Sequence, residues 1–161
     1  MESTTSRIAA DLVAALESKG LTCATAESCT GGGVGGAITS VAGSSAVFLG
    51  GVISYSNDVK ADVLGVSRDS LARVGAVSSE VAAQMATGAR RTIGADIAVS
   101  LTGIAGPGGG SAEKPVGLVW FGLATSDGVT TESRIFSGDR AAVRAAAVEH
   151  ALSLLLQAAK R

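Results

Sequence analysis

Apolar residues recur along the chain at two periods, and the switches between them divide it into elements. Ile8, Leu12 and Leu16 return every four residues, which predicts a helix over 5–19 with Gly20 as its stop. Thr22 to Ala26 reads as a short buried strand. A polar, exposed turn, Glu27-Ser28-Cys29-Thr30, leads into a glycine-rich helix at about 31–40. Ala46 to Ser56 becomes apolar and β-branched toward its end and reads as a second strand. Asn57 is placed to cap a short helix over 58–64, and Ser67 another over 68–73. Ser78 starts a longer helix to about Ile93, with Val81, Met85 and Ala89 on one stripe. Asp96 to Leu101 is a third strand, and 103–115 a loop that holds both prolines. Val116 to Thr125 and Thr130 to Phe136 are two strands joined through Ser126-Asp127-Gly128, a hairpin signal. Asp139 caps a last helix to about Ala159, with Val148, Leu152, Leu155 and Leu156 facing inward. Five strands among about as many helices predict one three-layer α/β/α domain over 1–161, its sheet mixed by the hairpin but mostly parallel.

Composition narrows the function classes. The chain is 47% hydrophobic and 17% charged, a composition that folds. A net charge of −1 gives no basic face for nucleic acid. The apolar stretches are broken well before the roughly 18 residues that span a bilayer, so no membrane partner is expected. The first residues, Met1 to Arg7, carry no secretory pattern, which predicts a cytoplasmic protein. Cys23 and Cys29 are expected as reduced thiols. Two cysteines and one histidine are too few soft ligands for zinc, so no metal is expected. No cofactor is expected either, and a homo-oligomer is left open.

The 22 glycines are about twice the usual share of roughly 7%, and they cluster at 31–36, 50–51 and 103–110. Gly31, Gly33 and Gly36 fit the dinucleotide pattern G-x-G-x-x-G, and Asp58 lies 22 residues beyond Gly36. The surroundings argue against that reading, because four polar residues separate the strand from the first glycine. Each glycine in a helix interior costs roughly 1 kcal/mol against alanine, so the cluster calls for a reason. Two compatible ones are tight packing of helix on sheet and a helix N-terminus whose bare N–H groups receive negative charge. Ser28, just before that N-terminus, is either a plain cap or a nucleophile. Lys60, in the first turn of the helix after the second strand, is either a solvated lysine or a base. The helix dipole and partial burial both disfavour its ammonium, and a neutral lysine takes a proton from a serine. His150 falls about 200° around the last helix from Val148, at ~100° per residue, so it is expected to be exposed and outside any triad. Cys29 is a rival nucleophile at the same helix end, without a histidine partner.

Thr25-Ala26-Glu27-Ser28-Cys29-Thr30-Gly31-Gly32 resembles the signature of the C-terminal domain of the competence/damage-inducible protein CinA. Further matches are Tyr55-Ser56-Asn57 with Lys60, Gly75-Ala76-Val77-Ser78, Thr102-Gly103-Ile104-Ala105-Gly106-Pro107, Lys114-Pro115-Val116-Gly117 and Phe136-Ser137-Gly138-Asp139-Arg140, in order over nearly the whole chain. That family includes stand-alone nicotinamide-nucleotide amidases. Its other, N-terminal domain has no counterpart in these residues, so the pyrophosphatase activity linked to that domain is not implied.

The resemblance implies deamidation of nicotinamide mononucleotide to nicotinate mononucleotide and ammonia, a step of pyridine nucleotide salvage. It implies a serine nucleophile, a lysine base and an assisting tyrosine, matched by Ser28, Lys60 and Tyr55. On that mechanism, backbone N–H groups near Thr30, Gly31 and Gly32 hold the oxyanion. The loop from Thr102 through Gly103 and Gly106 to Gly110, with Arg140, takes the substrate phosphate. Arg140 has a blander alternative, an ion pair with Asp139 or Glu113. A nucleotide-binding or regulatory module without catalysis is the competing function.

Overall fold

Side-chain oxygens start five of the six helices. Ser3, Ser56, Ser67, Ser78 and Asp139 each accept an N–H of the first turn of α1 (Thr4–Lys19), α3 (Asn57–Leu64), α4 (Arg68–Val74), α5 (Ser79–Ile93) and α6 (Arg140–Ala159). The cap of α3 is therefore Ser56, and Asn57 is already the first helical residue. The exception is α2 (Gly33–Thr39), which follows Gly32 and has no cap of this kind. Gly31 and Gly32 lie in the left-handed region, φ +58° and +99°, which only glycine adopts without strain. They make the turn into α2 and stay outside it, which shortens the predicted helix from its start.

The computed structural model describes residues 1–161. Its five strands are β1 (Cys23–Glu27), β2 (Phe48–Ile53), β3 (Ile97–Gly103), β4 (Leu118–Thr125) and β5 (Gly128–Ile135), side by side as β2-β1-β3-β4-β5. β1 pairs parallel with β2 and β3, and β4 pairs antiparallel with β3 and β5, so β4 alone is reversed. This is the mixed, mostly parallel sheet the hairpin predicted. Boundaries move by a few residues. Ser44–Ala46 is a short 3₁₀ turn before β2, β4 starts two residues late, and β5 starts at the Gly128 of the turn. β1 ends on Glu27, which is buried in the sheet and so is no part of a polar turn.

Helices cover both faces. A cluster of 24 buried residues, Leu12, Leu16, Val99, Phe121 and Leu152 among them, joins α1, α2 and α6 to one face. A smaller cluster of nine, including Leu64, Val81 and Met85, joins α3 and α5 to the other. Glycine sets one of these distances. A Cβ on Gly88 of α5 would stand 1.9 Å from the Leu64 carbonyl at the end of α3, so the helices cross where no side chain fits. β1 and β2 keep a regular register from Ala24↔Gly50 to Glu27↔Ile53, but one extra residue of β2, Leu49, bulges out between Cys23 and Ala24. The parallel strands β1 and β2 thus end together, and the residues just beyond them open the site.

Candidate active site

Ser28 follows β1, and Lys60 reaches it from α3 across 32 positions of sequence. Lys60 Nζ lies 3.0 Å from Ser28 Oγ, 2.8 Å from the Ser54 carbonyl and 3.1 Å from the Tyr55 carbonyl. Lys60 is only 1% exposed and forms no ion pair. Burial pushes its ammonium below the ordinary lysine value. Ser28 is buried, at 8%, where an exposed turn was expected. The difference follows from Glu27, which carries the turn into the sheet.

The Glu27 carboxylate accepts the Thr30 hydroxyl at 2.7 Å, the Val34 N–H at 2.9 Å and the Gly35 N–H at 3.0 Å. It is the missing cap of α2, delivered from inside the sheet. The helix N-terminus does receive negative charge, as the glycines suggested, but from the chain itself. That closes the dinucleotide reading, since no pyrophosphate fits where the carboxylate sits. It also corrects the expected oxyanion donors. The Gly31 N–H is spent on the Ser28 carbonyl at 3.1 Å, while those of Cys29, Thr30 and Gly32 donate to no other residue.

One cavity of about 200 Å³ gathers Ser28, Lys60, Tyr55, Thr102, Gly103 and Arg140. Cys29, Asn57, Ala76, Val77 and Ala105 complete its wall, all but Cys29 outside the sequence-level candidates. Thr30, Gly31 and Gly32 do not line it. Thr102 and Gly103 belong to β3 rather than to the following loop, and the Thr102 hydroxyl donates to the Ala76 carbonyl at 3.0 Å. That bond holds the cavity wall. Tyr55 is exposed, and its hydroxyl meets Arg140 at 3.4 Å. Burial lifts the Cys29 thiol to about 11, against the pull of Arg144 and Lys60, so it is a poor rival nucleophile. His150 is not exposed either. It is packed against the Phe121 ring and 3.0 Å from Glu132, because the inward stripe of α6 is wide enough to take it in.

Arg140 makes neither of the expected ion pairs. It donates to the Gly106 carbonyl at 2.9 Å and so ties the glycine-rich loop to α6. It also stands between the first cavity and a larger one, about 500 Å³, lined by Ala105, Pro107, Val116, Asp139, Ala141 and Arg144 among others. The N–H groups of Arg140 and Ala141, ahead of the Asp139 cap bond to Ala142, have no acceptor. Arg144, one turn along α6 from Arg140, was missed in the sequence, though i,i+4 spacing puts both on one face. It donates to the Cys29 carbonyl at 3.1 Å and the Thr30 carbonyl at 3.3 Å. No helix is long and apolar enough to cross a membrane.

Residues 5–159 match the family model described as the CinA C-terminal domain. The chain is 52% identical over 151 residues to the nicotinamide-nucleotide amidohydrolase PncC of Enterobacter agglomerans, covering 93% of this chain and 92% of that protein. It is 54% identical over 144 residues to the nicotinamide-nucleotide amidohydrolase PncC of Escherichia coli K12, covering 89% and 87%. The crystal structure of the competence/damage inducible protein CihA from Agrobacterium tumefaciens superposes with a TM-score of 0.95 at 44% identity, over 100% of this chain and 98% of that one.

Proposed function

The chain belongs to the CinA C-terminal domain family, and from that premise we propose that it is an amidohydrolase of nicotinamide mononucleotide that works through an acyl-enzyme on Ser28. The observation that carries the reading is the environment of Lys60 Nζ. A neutral amine has two N–H donors and one lone pair. As an ammonium, Nζ donates to two backbone carbonyls and to Ser28 Oγ at 3.0 Å; deprotonated, it keeps the two carbonyls and turns its lone pair to the Ser28 hydroxyl. No carboxylate stands by to favour the ammonium, and burial disfavours it.

Lys60 takes the Ser28 proton as Oγ bonds to the carboxamide carbon and the C=O electron pair moves onto oxygen. The tetrahedral intermediate collapses as the C–N bond breaks. Lys60 returns the proton to the departing nitrogen, which leaves as ammonia. Water then adds to the ester, losing its proton to Lys60. Collapse releases the nicotinate and gives the proton back to Ser28 Oγ. Tyr55 orients Lys60 through its backbone carbonyl. The Cys29 N–H, bonded to no other residue and next to the nucleophile, is the oxyanion donor in place of Thr30 to Gly32; such donors are worth about 3–4 kcal/mol.

The substrate phosphate goes to Arg140, with the loop Gly103 to Gly110 and the free N–H groups at the start of α6. The whole chain 1–161 acts as one amidase domain, in the cytoplasm and in pyridine nucleotide salvage. The test is ammonia and nicotinate mononucleotide released from nicotinamide mononucleotide by the purified chain. Wild type turns over and Ser28→Ala does not, with its fold intact by circular dichroism. Near-normal turnover in Ser28→Ala would refute the nucleophile. Binding of the mononucleotide with no release by wild type would favour a binding or regulatory module instead.

A further inference from the structure

Arg144 reaches the nucleophile turn from α6 and touches only backbone there. Its NH2 group holds the Thr30 carbonyl. The N–H of that same peptide unit belongs to Gly31, and it donates to the Ser28 carbonyl. The N–H of the Ser28 peptide unit belongs in turn to Cys29, which lines the cavity beside Ser28, and it donates to no other residue. Both units are trans and planar, so carbonyl and N–H point opposite ways in each. Gripping one carbonyl therefore sets the direction of an N–H two units away. The second bond, Nε to the Cys29 carbonyl, fixes the unit between them. The plane that carries the Cys29 N–H turns about ψ of Ser28 and φ of Cys29, and with glycine at 31 and 32 the rest of the turn adds little stiffness to oppose that rotation.

We propose that Arg144 is a positioning residue of the amidase reaction, locking the peptide planes of the Ser28–Gly32 turn so that the Cys29 N–H stays aimed at the developing oxyanion. The inference rests on the amidase reading above and extends it to a residue that touches no reacting atom. A guanidinium suits the task because its fork spans two carbonyls at once, which a lysine cannot do. The rival role is that of a phosphate ligand, since Arg144 also lines the larger cavity.

The experiment compares wild type, Arg144→Met and Arg144→Lys for kcat and KM on nicotinamide mononucleotide and for inhibition by the product, nicotinate mononucleotide. A thermal melt of each variant accompanies the kinetics. Loss of one oxyanion donor lowers kcat by roughly 10²–10³-fold. Arg144→Met is expected to approach that loss, with KM and the inhibition constant within about twofold of wild type, since ground-state binding is untouched. Arg144→Lys, able to hold one carbonyl, falls between. It also serves if the methionine variant does not fold, and added guanidinium ion then restores part of the kcat of the lysine variant. A rise in KM and in the inhibition constant with kcat unchanged makes Arg144 a phosphate ligand and overturns the proposal. Unchanged kinetics in both variants overturn it as well. A wild-type chain that releases no ammonia refutes the amidase reading itself, and this inference with it.

Discussion

Replacing Glu27 by Gln tests the idea that a buried charge holds the start of α2. The carboxylate takes three donors: Oε1 accepts from the Thr30 hydroxyl and the Val34 N–H, and Oε2 from the Gly35 N–H. The amide keeps one oxygen, and its best orientation leaves that oxygen at the doubly bonded site. Its NH₂ then faces the Gly35 N–H, donor to donor. One partly buried N–H is orphaned, at about 1–3 kcal/mol. The attraction between the negative charge and the helix end is also lost, at roughly 0.3–1 kcal/mol and up to ~2 when buried. Relief of the desolvation of the carboxylate works the other way. Three charge-assisted bonds of about 1.5–3 kcal/mol each outweigh it, because only a carboxylate satisfies all three donors. The expected net loss is roughly 2–4 kcal/mol, or about 6–12 °C in Tm for a chain of this size. Urea unfolding at neutral pH, followed by far-ultraviolet circular dichroism, measures it. Thr30→Val, which removes one donor and leaves the charge, should cost about 1 kcal/mol by the same assay. A Glu27→Gln loss under about 1 kcal/mol, or no larger than that of Thr30→Val, would refute the reasoning.

Lys60→Arg holds a permanent cation and cannot serve as a base, so it is expected to be as inactive as Lys60→Met, while wild-type kcat/KM rises with pH through an inflection below the ordinary lysine range; substantial activity of Lys60→Arg at neutral pH removes Lys60 as the base. The same burial gives a sign for stability: between the lowered and the ordinary lysine value the unfolded chain holds the proton more tightly, so unfolding free energy rises with pH in that window, and Lys60→Met flattens the slope. Arg140→Ala should raise KM for the mononucleotide more than it lowers kcat, whereas equal activity of wild type on free nicotinamide would deny it a phosphate to hold. Gly88→Ala should destabilise by about 1–3 kcal/mol despite its better helix propensity, because its Cβ would stand 1.9 Å from the Leu64 carbonyl; Gly36→Ala, with nothing within 4 Å, should gain up to about 1 kcal/mol, and melting both variants checks the pair.

Elements with a local signal were legible in the sequence. Ser67, Ser78 and Asp139 cap the helices they were expected to cap, because a cap bond closes within three residues. The cavity-lining trio Ser28, Tyr55 and Lys60 was legible through the family resemblance, and the helix dipole and burial arguments for Lys60 pointed the same way. What sequence reasoning missed is long-range. Glu27 looks like a turn residue until the donors of α2 are seen to converge on it. His150 looks exposed on a helical wheel because the wheel leaves out Glu132 and Phe121. Arg144 carries no motif, and its partners are carbonyls 114 and 115 positions away, which no side-chain pattern marks.

The bulge at Leu49 has a reach beyond its own residue. Facing alternates along a strand, so one surplus residue reverses the phase of everything after it. β2 takes up that surplus at the end remote from the site and then runs in step with β1 to Glu27↔Ile53. The next residue, Ser54, gives its N–H to the Glu27 carbonyl at 2.8 Å and aims its own carbonyl at Lys60. The bulge is thus the clock that times the strand. Without it, the register begun at Cys23↔Phe48 would put Val52 opposite Glu27 and Ile53 where Ser54 now stands, and the lysine would lose its pair of acceptors.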